Sequence, residues 1–413
     1  MAELRKFKAW RPIKGLEEQV ASYPYDVLNS QEAKDLVRGN PHSFLHVVKP
    51  EVDLPEGTDL YSHAVYEKAR ENLDRFIREG ILIQEDEPKL YIYRQTMQDH
   101  EQYGIVGCVS VDDYDQDIIK KHEHTRPDKE ADRIKHVDIT NVNAGPIFMT
   151  YRGRSSIEDL ISNATQGAPL YDFIAEDKIR HTAWIVDDAI ADEIVREFGG
   201  IGYLYVADGH HRSASAAKVA HMRRKANPDH KGDEEYNYFL AVLFPADQLR
   251  ILDYNRVLKH LNDHTQEELF SELEKWFEME KVGETPCRPV RKGEIGMYLD
   301  KGWFKLTARE EHIDRSDPVN SLDISFLQKH ILFPFFGVED PRTSKDIDFV
   351  GGIRGLEELI RLVDSGAYWV AFAMYPTSLE ELMSIADSGE VMPPKTTWFE
   401  PKLRSGLLIH SLD

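Results

Sequence analysis

The chain has 413 residues, of which 51 are Lys or Arg and 73 are Asp or Glu, leaving a formal charge of −22 and a pI near 5.2. Such an acidic surface repels nucleic-acid backbones and anionic membranes, which excludes both as general partners and leaves small molecules. Two cysteines, Cys108 and Cys287, are too few for a disulfide framework or a structural zinc site.

The opening MAELRKFKAWRPIKG is charged throughout and has no apolar core of a signal peptide. The longest apolar stretches, such as Trp369 to Tyr375, fall far short of the ~20 residues of a membrane helix. A cytoplasmic location is the expectation. No repeat of fixed period is present, which excludes solenoids and propellers. In chain order, residues 61–80 place Ala64, Val65, Ala69, Leu73, Phe76 and Ile77 on one stripe before Gly80, the pattern of an amphipathic helix. LYIYRQTM and YGIVGCVSV flank a polar turn and predict a hairpin, with Cys108 in its apolar core. A helix is expected from Thr125, with Pro127 in its first turn, to about Asp138. PIFMTY and TAWIVDD read as strands, AIADEIVREF as a helix, and IGYLYVA as a strand entering DGHHRSASAAKVAHMRRKA.

YFLAVLF and LRILDYNRVL add strands, after which the composition changes, and a boundary is set at 258, separating domains 1–258 and 259–413. The later part offers a strand pair around Lys301 and Gly302, the helices GLEELIRLVDSG and SLEELMSIADSG, the strand YWVAFAMYP, and a closing Pro-rich run, MPPKTTWFEPKLRSGL. Hairpins combined with crossovers define the fold class as α+β or mixed α/β.

Chemistry concentrates where the strand ending at Ala207 runs through Asp208-Gly209-His210-His211-Arg212 into a helix. Amides at a helix start lack intrahelical acceptors and the macrodipole is positive there, so the junction attracts anions. Gly209 permits a tight turn, Arg212 supplies a forked cation for phosphate oxygens, and Ser213 and Ser215 supply hydroxyls. Small Ala214, Ala216 and Ala217 allow close packing on a sheet. The bland alternative makes Asp208 a turn residue and the two His and Arg212 surface groups.

A second cluster is Lys121-His122-Glu123-His124-Thr125-Arg126. A glutamate between imidazoles and cations is a candidate general base; a solvated charge run is the alternative. His122, His124, His210, His211, Glu123 and Asp208 contain enough ligands for zinc or manganese, but HxH and HH lack the HExxH spacing, and no all-protein metal site is assigned. No P-loop, GxGxxG, GxSxG or kinase HRD and DFG set is present. Trp10 and Trp303 read as packing residues, as does the YPYD turn. Lys395, Lys402 and Arg404 form either plain surface or a cationic lid over the site.

YPYDVLNSQEA, KKHEHT, ADGHHRSASA and MPPKTTWFEPKLRSGL together resemble a prokaryotic family usually described as a domain of unknown function. The HE and DGHHR elements in turn resemble free serine kinases of ParB/sulfiredoxin-like fold. That resemblance implies Glu123, assisted by His122, as the base on a serine hydroxyl. Asp208, Gly209, His210, His211, Arg212 and Ser213 become the phosphate loop, and Lys121, Thr125 and Arg126 are brought near the substrate. It further implies residues 1–258 as the catalytic domain, with ADP or ATP as donor carrying Mg²⁺. The expected function is phosphoryl transfer to free L-serine or a similar small alcohol. A phosphoester or nucleotide hydrolase, or a non-catalytic nucleotide-binding or ParB-like module, would use the same cradle; the RRK cluster at Arg223–Lys225 is too small to offset the acidic balance for DNA.

Overall fold

A computed structural model describes residues 1–413. The chain divides into two compact units: residues 1–121, 125–249 and 401–413 form the first, and residues 122–124 and 250–400 the second. The composition change at 258 thus falls inside the second unit, and the closing residues 401–413 belong to the first. No helix is long and apolar enough to cross a membrane.

The first unit is built on a nine-stranded mixed sheet. Its centre is the expected hairpin, Tyr91–Met97 with His100–Ser110, extended by Tyr238–Pro245, Ile147–Tyr151 and Leu204–Asp208. Tyr238–Pro245 runs parallel to Ile147–Tyr151, while Leu204–Asp208 is antiparallel to it, so the class is mixed α/β. Central strands bury both faces and read as continuous apolar runs: every residue from Phe239 to Pro245 is buried. Ile105, Val109, Met149, Val206, Ala217 and Leu243 belong to one core cluster with the helix Asp188–Phe198. Cys108 is fully buried, and burial pushes its thiol well up, which suits packing and not reactivity.

The 61–80 stripe forms the helix His63–Arg78, with Val65, Tyr66, Ala69, Leu73 and Phe76 buried. Leu73 and Phe76 pack with Phe44, Val47 and Ile409 in a satellite core. A four-stranded sheet closes this side in the order Leu82–Gln84, Ala9–Pro12, Ile409–Ser411, Val142–Asn143. The C-terminal strand therefore lies between two segments from early in the chain, a pairing with no local sequence signal.

The second unit has a six-stranded antiparallel sheet, in which Val370–Ala373 lies between Glu294–Leu299 and Tyr254–Leu258. The Lys301 turn joins Glu294–Leu299 to Gly302–Ala308 as expected. Trp303 is fully buried there with Val257, Leu359 and Ala371. The helices Gln266–Trp276 and Leu379–Ser388 each start with a capping box, Thr265 with Glu268 and Ser378 with Glu381.

Candidate functional site

The strand Leu204–Asp208 delivers its carboxylate directly to a helix start at His210. Gly209 is the hinge, at φ +99°, in the left-handed region that a side chain disfavours. A β-carbon there would also lie 3.0 Å from Arg212 Nε and 3.1 Å from its Cζ, so the missing side chain makes room for the guanidinium. The helix His210–Ala226 carries no acid in its first turn and Arg223, Arg224 and Lys225 in its last, matching the macrodipole at its C-terminal end and leaving the N-terminal end positive. His210, Ser213, Ala214, Ser215, Ala216 and Ala217 are all buried, the close packing expected of small residues.

Three charges meet at this turn. Lys402 Nζ lies 3.0 Å from Asp208 Oδ2, and Arg212 Nη2 lies 3.9 Å from Asp208 Oδ1. Burial pushes the Asp208 carboxyl upward, but Lys402 and Arg212 outweigh it and hold the group well below the usual carboxylate range. Arg212 Nη1 donates to the Pro146 carbonyl at 2.5 Å, whereas its buried Nε has no hydrogen-bond partner. The guanidinium lines a small cavity of about 40 Å³ shared with Tyr25, Arg133, His136, Gly145 and Ser405. The Arg133 guanidinium sits 4.0 Å from the Tyr25 ring centroid, a second cation in the wall. His136 is buried with Nε2 2.9 Å from the Val47 carbonyl; burial, with Arg133 adding to it, pushes its pKa down to about 4. It is therefore neutral at pH 7 and donates to that carbonyl.

The remaining sequence-derived residues occupy distinct places. The Arg126 amide donates to His211 Nε2 at 3.0 Å, which makes that nitrogen the unprotonated one and ties the start of the helix Pro127–Thr140 to the turn. Thr125 donates to Glu130 at 2.6 Å, Arg126 pairs with Asp128 at 3.0 Å, and Lys121 pairs with Asp117 at 2.6 Å and donates to the Tyr114 carbonyl. These side chains are thus engaged with their own neighbours. Ser213 and Ser215 turn their hydroxyls back onto the helix, donating to His210 and Arg212 carbonyls at 3.0 Å, a common use of Ser inside helices.

Of the three closing-loop cations, Lys402 meets Asp208. Arg404 instead stacks 3.8 Å over the Tyr23 ring, pairs with Asp177, and donates from Nε to His181 Nε2 at 3.3 Å. Lys395 is exposed and belongs to the second unit, as do His122, Glu123 and His124. His122 is buried and its carbonyl accepts from the Met392 amide at 2.8 Å; Glu123 is half-buried and His124 exposed. Tyr25, Arg133 and the Pro146 carbonyl escaped the sequence reading because nothing in their local pattern marks them as neighbours of residue 212.

The protein family described as "Protein of unknown function (DUF1015)" matches residues 4–325. No curated protein matches the chain. Among solved structures, a free serine kinase in complex with AMP is 14% identical, with a TM-score of 0.36 over 73% of this chain and 90% of that one. SbnI with a C-terminal truncation, from Staphylococcus aureus, is 14% identical with a TM-score of 0.39, covering 73% and 85%. A conserved hypothetical protein from Pyrococcus furiosus is 13% identical with a TM-score of 0.33, covering 72% and 92%.

Proposed function

This chain belongs to the DUF1015 family, and we propose that it is a small-molecule phosphotransferase of ParB/sulfiredoxin-like fold that moves a phosphoryl group from ADP or ATP to the hydroxyl of free L-serine. The observation that carries the reading is the Asp208–Arg212 turn. A glycine hinge opens onto a helix start without acids, and a buried guanidinium with an unmatched N–H stands beside it. An anion with several acceptor oxygens satisfies both the helix-start amides and Arg212. The KHEHT and ADGHHRSASA motifs supply the rest of the assignment.

In this mechanism Glu123 takes the proton of the acceptor hydroxyl as its oxygen bonds to the terminal phosphorus of the donor. The bond from that phosphorus to the bridging oxygen breaks and releases AMP or ADP. The amides of residues 209–212 and the Arg212 guanidinium hold the charge on the transferring group, the main source of catalysis in phosphoryl transfer, whereas the Ser213 amide is taken by the Gly209 carbonyl at 3.0 Å. Asp208 keeps Lys402 and Arg212 in place around the turn, and His122 orients Glu123. Mg²⁺ would arrive with the nucleotide as part of the substrate and would offset phosphate charge there.

Incubation of the protein with L-serine, Mg²⁺ and either nucleotide, followed by ³¹P NMR, is expected to give O-phosphoserine and the shortened nucleotide. No product with either donor overturns the assignment. Glu123→Gln is expected to lower turnover by ~10²- to 10⁴-fold with nucleotide affinity retained, and full activity in that variant removes Glu123 as base.

A further inference from the structure

The hairpin at the centre of the nine-stranded sheet carries two amides on a face that otherwise buries rings. Gln95 follows Tyr91 and Tyr93 on its strand, faces Gln102 in register across the hairpin, and neither glutamine is exposed. A buried amide is costly unless its hydrogen bonds are made, so the partners of this pair show what it serves. Gln102 Nε2 donates to Gln95 Oε1 at 3.0 Å, and Gln95 Nε2 donates to the Lys402 carbonyl at 2.9 Å. A carbonyl only accepts, so Lys402 fixes which end of Gln95 faces it and, through Gln95, which end of Gln102. The relay thus leaves the sheet and ends on the backbone of the closing segment, at a residue that belongs to no strand.

The next strand continues the row. His181 is the register partner of Gln95 and is 1% exposed. Its Nδ1 lies 2.6 Å from Tyr93 Oη, and its Nε2 is the acceptor for Arg404 Nε. Burial, with Arg404 adding to it, pushes the imidazole pKa well down, so the ring is neutral and can accept. Polar groups aligned on three neighbouring strands therefore grip the closing segment twice, at the Lys402 carbonyl and at the Arg404 guanidinium. The consequence lies at the far end of Lys402, where the ammonium meets Asp208 at 3.0 Å. A lysine stem is flexible, so its ammonium is placed only as well as the backbone that carries it. With that backbone released, Asp208 would keep Arg212 at 3.9 Å and lose its nearer cation, directly before the helix start.

We propose that Gln95, held by Gln102, is a positioning residue of the turn: it fixes the Lys402 backbone so that the ammonium stays on Asp208 and the carboxylate does not repel an incoming phosphate. The proposal rests on the reading of residues 208–212 as a phosphate site and deepens it. It involves residues of the first unit alone.

The test is a double-mutant cycle on the full chain, read by calorimetric titration with ADP and by melting temperature without it. Gln95→Met keeps the length of the side chain and removes its amide. It is expected to weaken ADP binding by about threefold or more, while its combination with Lys402→Met binds ADP no more weakly than Lys402→Met alone. A Gln95 that serves packing only gives losses that multiply. That result overturns the proposal, as does parent affinity in either single variant. Without ligand, the fall in melting temperature caused by Lys402→Met is expected to shrink in the Gln95→Met background, because the ammonium is already displaced there; an undiminished fall overturns the placement. If the Gln102 amide left alone prevents folding, the cycle uses Gln95→Met together with Gln102→Met, which leaves neither amide of the pair unmatched. A parent that binds no ADP overturns the phosphate reading of the turn, and the melting cycle then still decides whether Gln95 holds Lys402 on Asp208.

Discussion

Lys402→Met retains most of the buried side-chain stem and removes the charge that faces Asp208. The pair is 3.0 Å apart and its side chains are 13% and 29% exposed. At the effective dielectric of such sites the attraction is roughly 5 kcal/mol, much of it offset by the desolvation of both groups. Losing one partner of a buried pair costs about 3–5 kcal/mol. Arg212, still 3.9 Å from the carboxylate, and the partial exposure of Asp208 lower the expected loss to about 2–3 kcal/mol. That corresponds to a fall of roughly 5–10 °C in the unfolding transition of the first unit, read by calorimetry. The pH dependence has a defined sign. Asp208 is held below the ordinary carboxylate range, so its contribution is present above about pH 4 and is lost as pH falls through the folded-state value. The gap between parent and variant should therefore be widest near neutrality and shrink in acid. Equal melting temperatures at neutral pH, or a gap that widens in acid, would refute the argument.

Gly209→Ala is expected to destabilise by about 2 kcal/mol and to weaken ADP binding by about tenfold or more, since left-handed strain is joined by a displaced Arg212. Gly232→Ala is the matched control, because that glycine has φ +101° but its β-carbon would meet nothing within 4 Å; it should show the strain alone and bind ADP as the parent does. Equal nucleotide affinity in Gly209→Ala would separate the turn from phosphate binding. His136, with its folded pKa down at about 4, contributes stability that is full above pH 6.5 and is lost as pH falls toward 4, about 3 kcal/mol in all. His136→Gln, which can still donate to the Val47 carbonyl, should flatten the denaturant-unfolding profile across that window; an unchanged slope there would reject the assignment.

The sequence was most informative where a few adjacent residues determine geometry. Alternation and a polar turn located the 90–111 hairpin, the 61–80 stripe located a helix, and Gly209 between a strand and an alanine-rich helix located the turn. Boundaries were softer: the strand read from Ile201 begins at Leu204, and the three residues before it, with Gly202 at their centre, lie outside the ladder. What remained hidden depends on residues far apart in the chain. Nothing in KLRSGLLIH announces that Ile409–Ser411 pairs beside Ala9–Pro12, or that adjacent cations two residues apart would choose Asp208 and Asp177. The composition shift at 258 coincides with the end of Tyr254–Leu258, a strand whose ladder partners come from later in the chain, within the same compact unit.

The insertion of residues 401–413 into the first unit sets an order of events during synthesis. Residues 1–249 leave the ribosome without the strand that fills their four-stranded sheet and without the lysine that neutralises Asp208. About 150 residues of the second unit are made before that segment emerges, a delay of roughly 8–30 s at ordinary elongation rates. Throughout it Ala9–Pro12 and Val142–Asn143 each present an open edge, and the four-stranded sheet is completed only when the last residues are made.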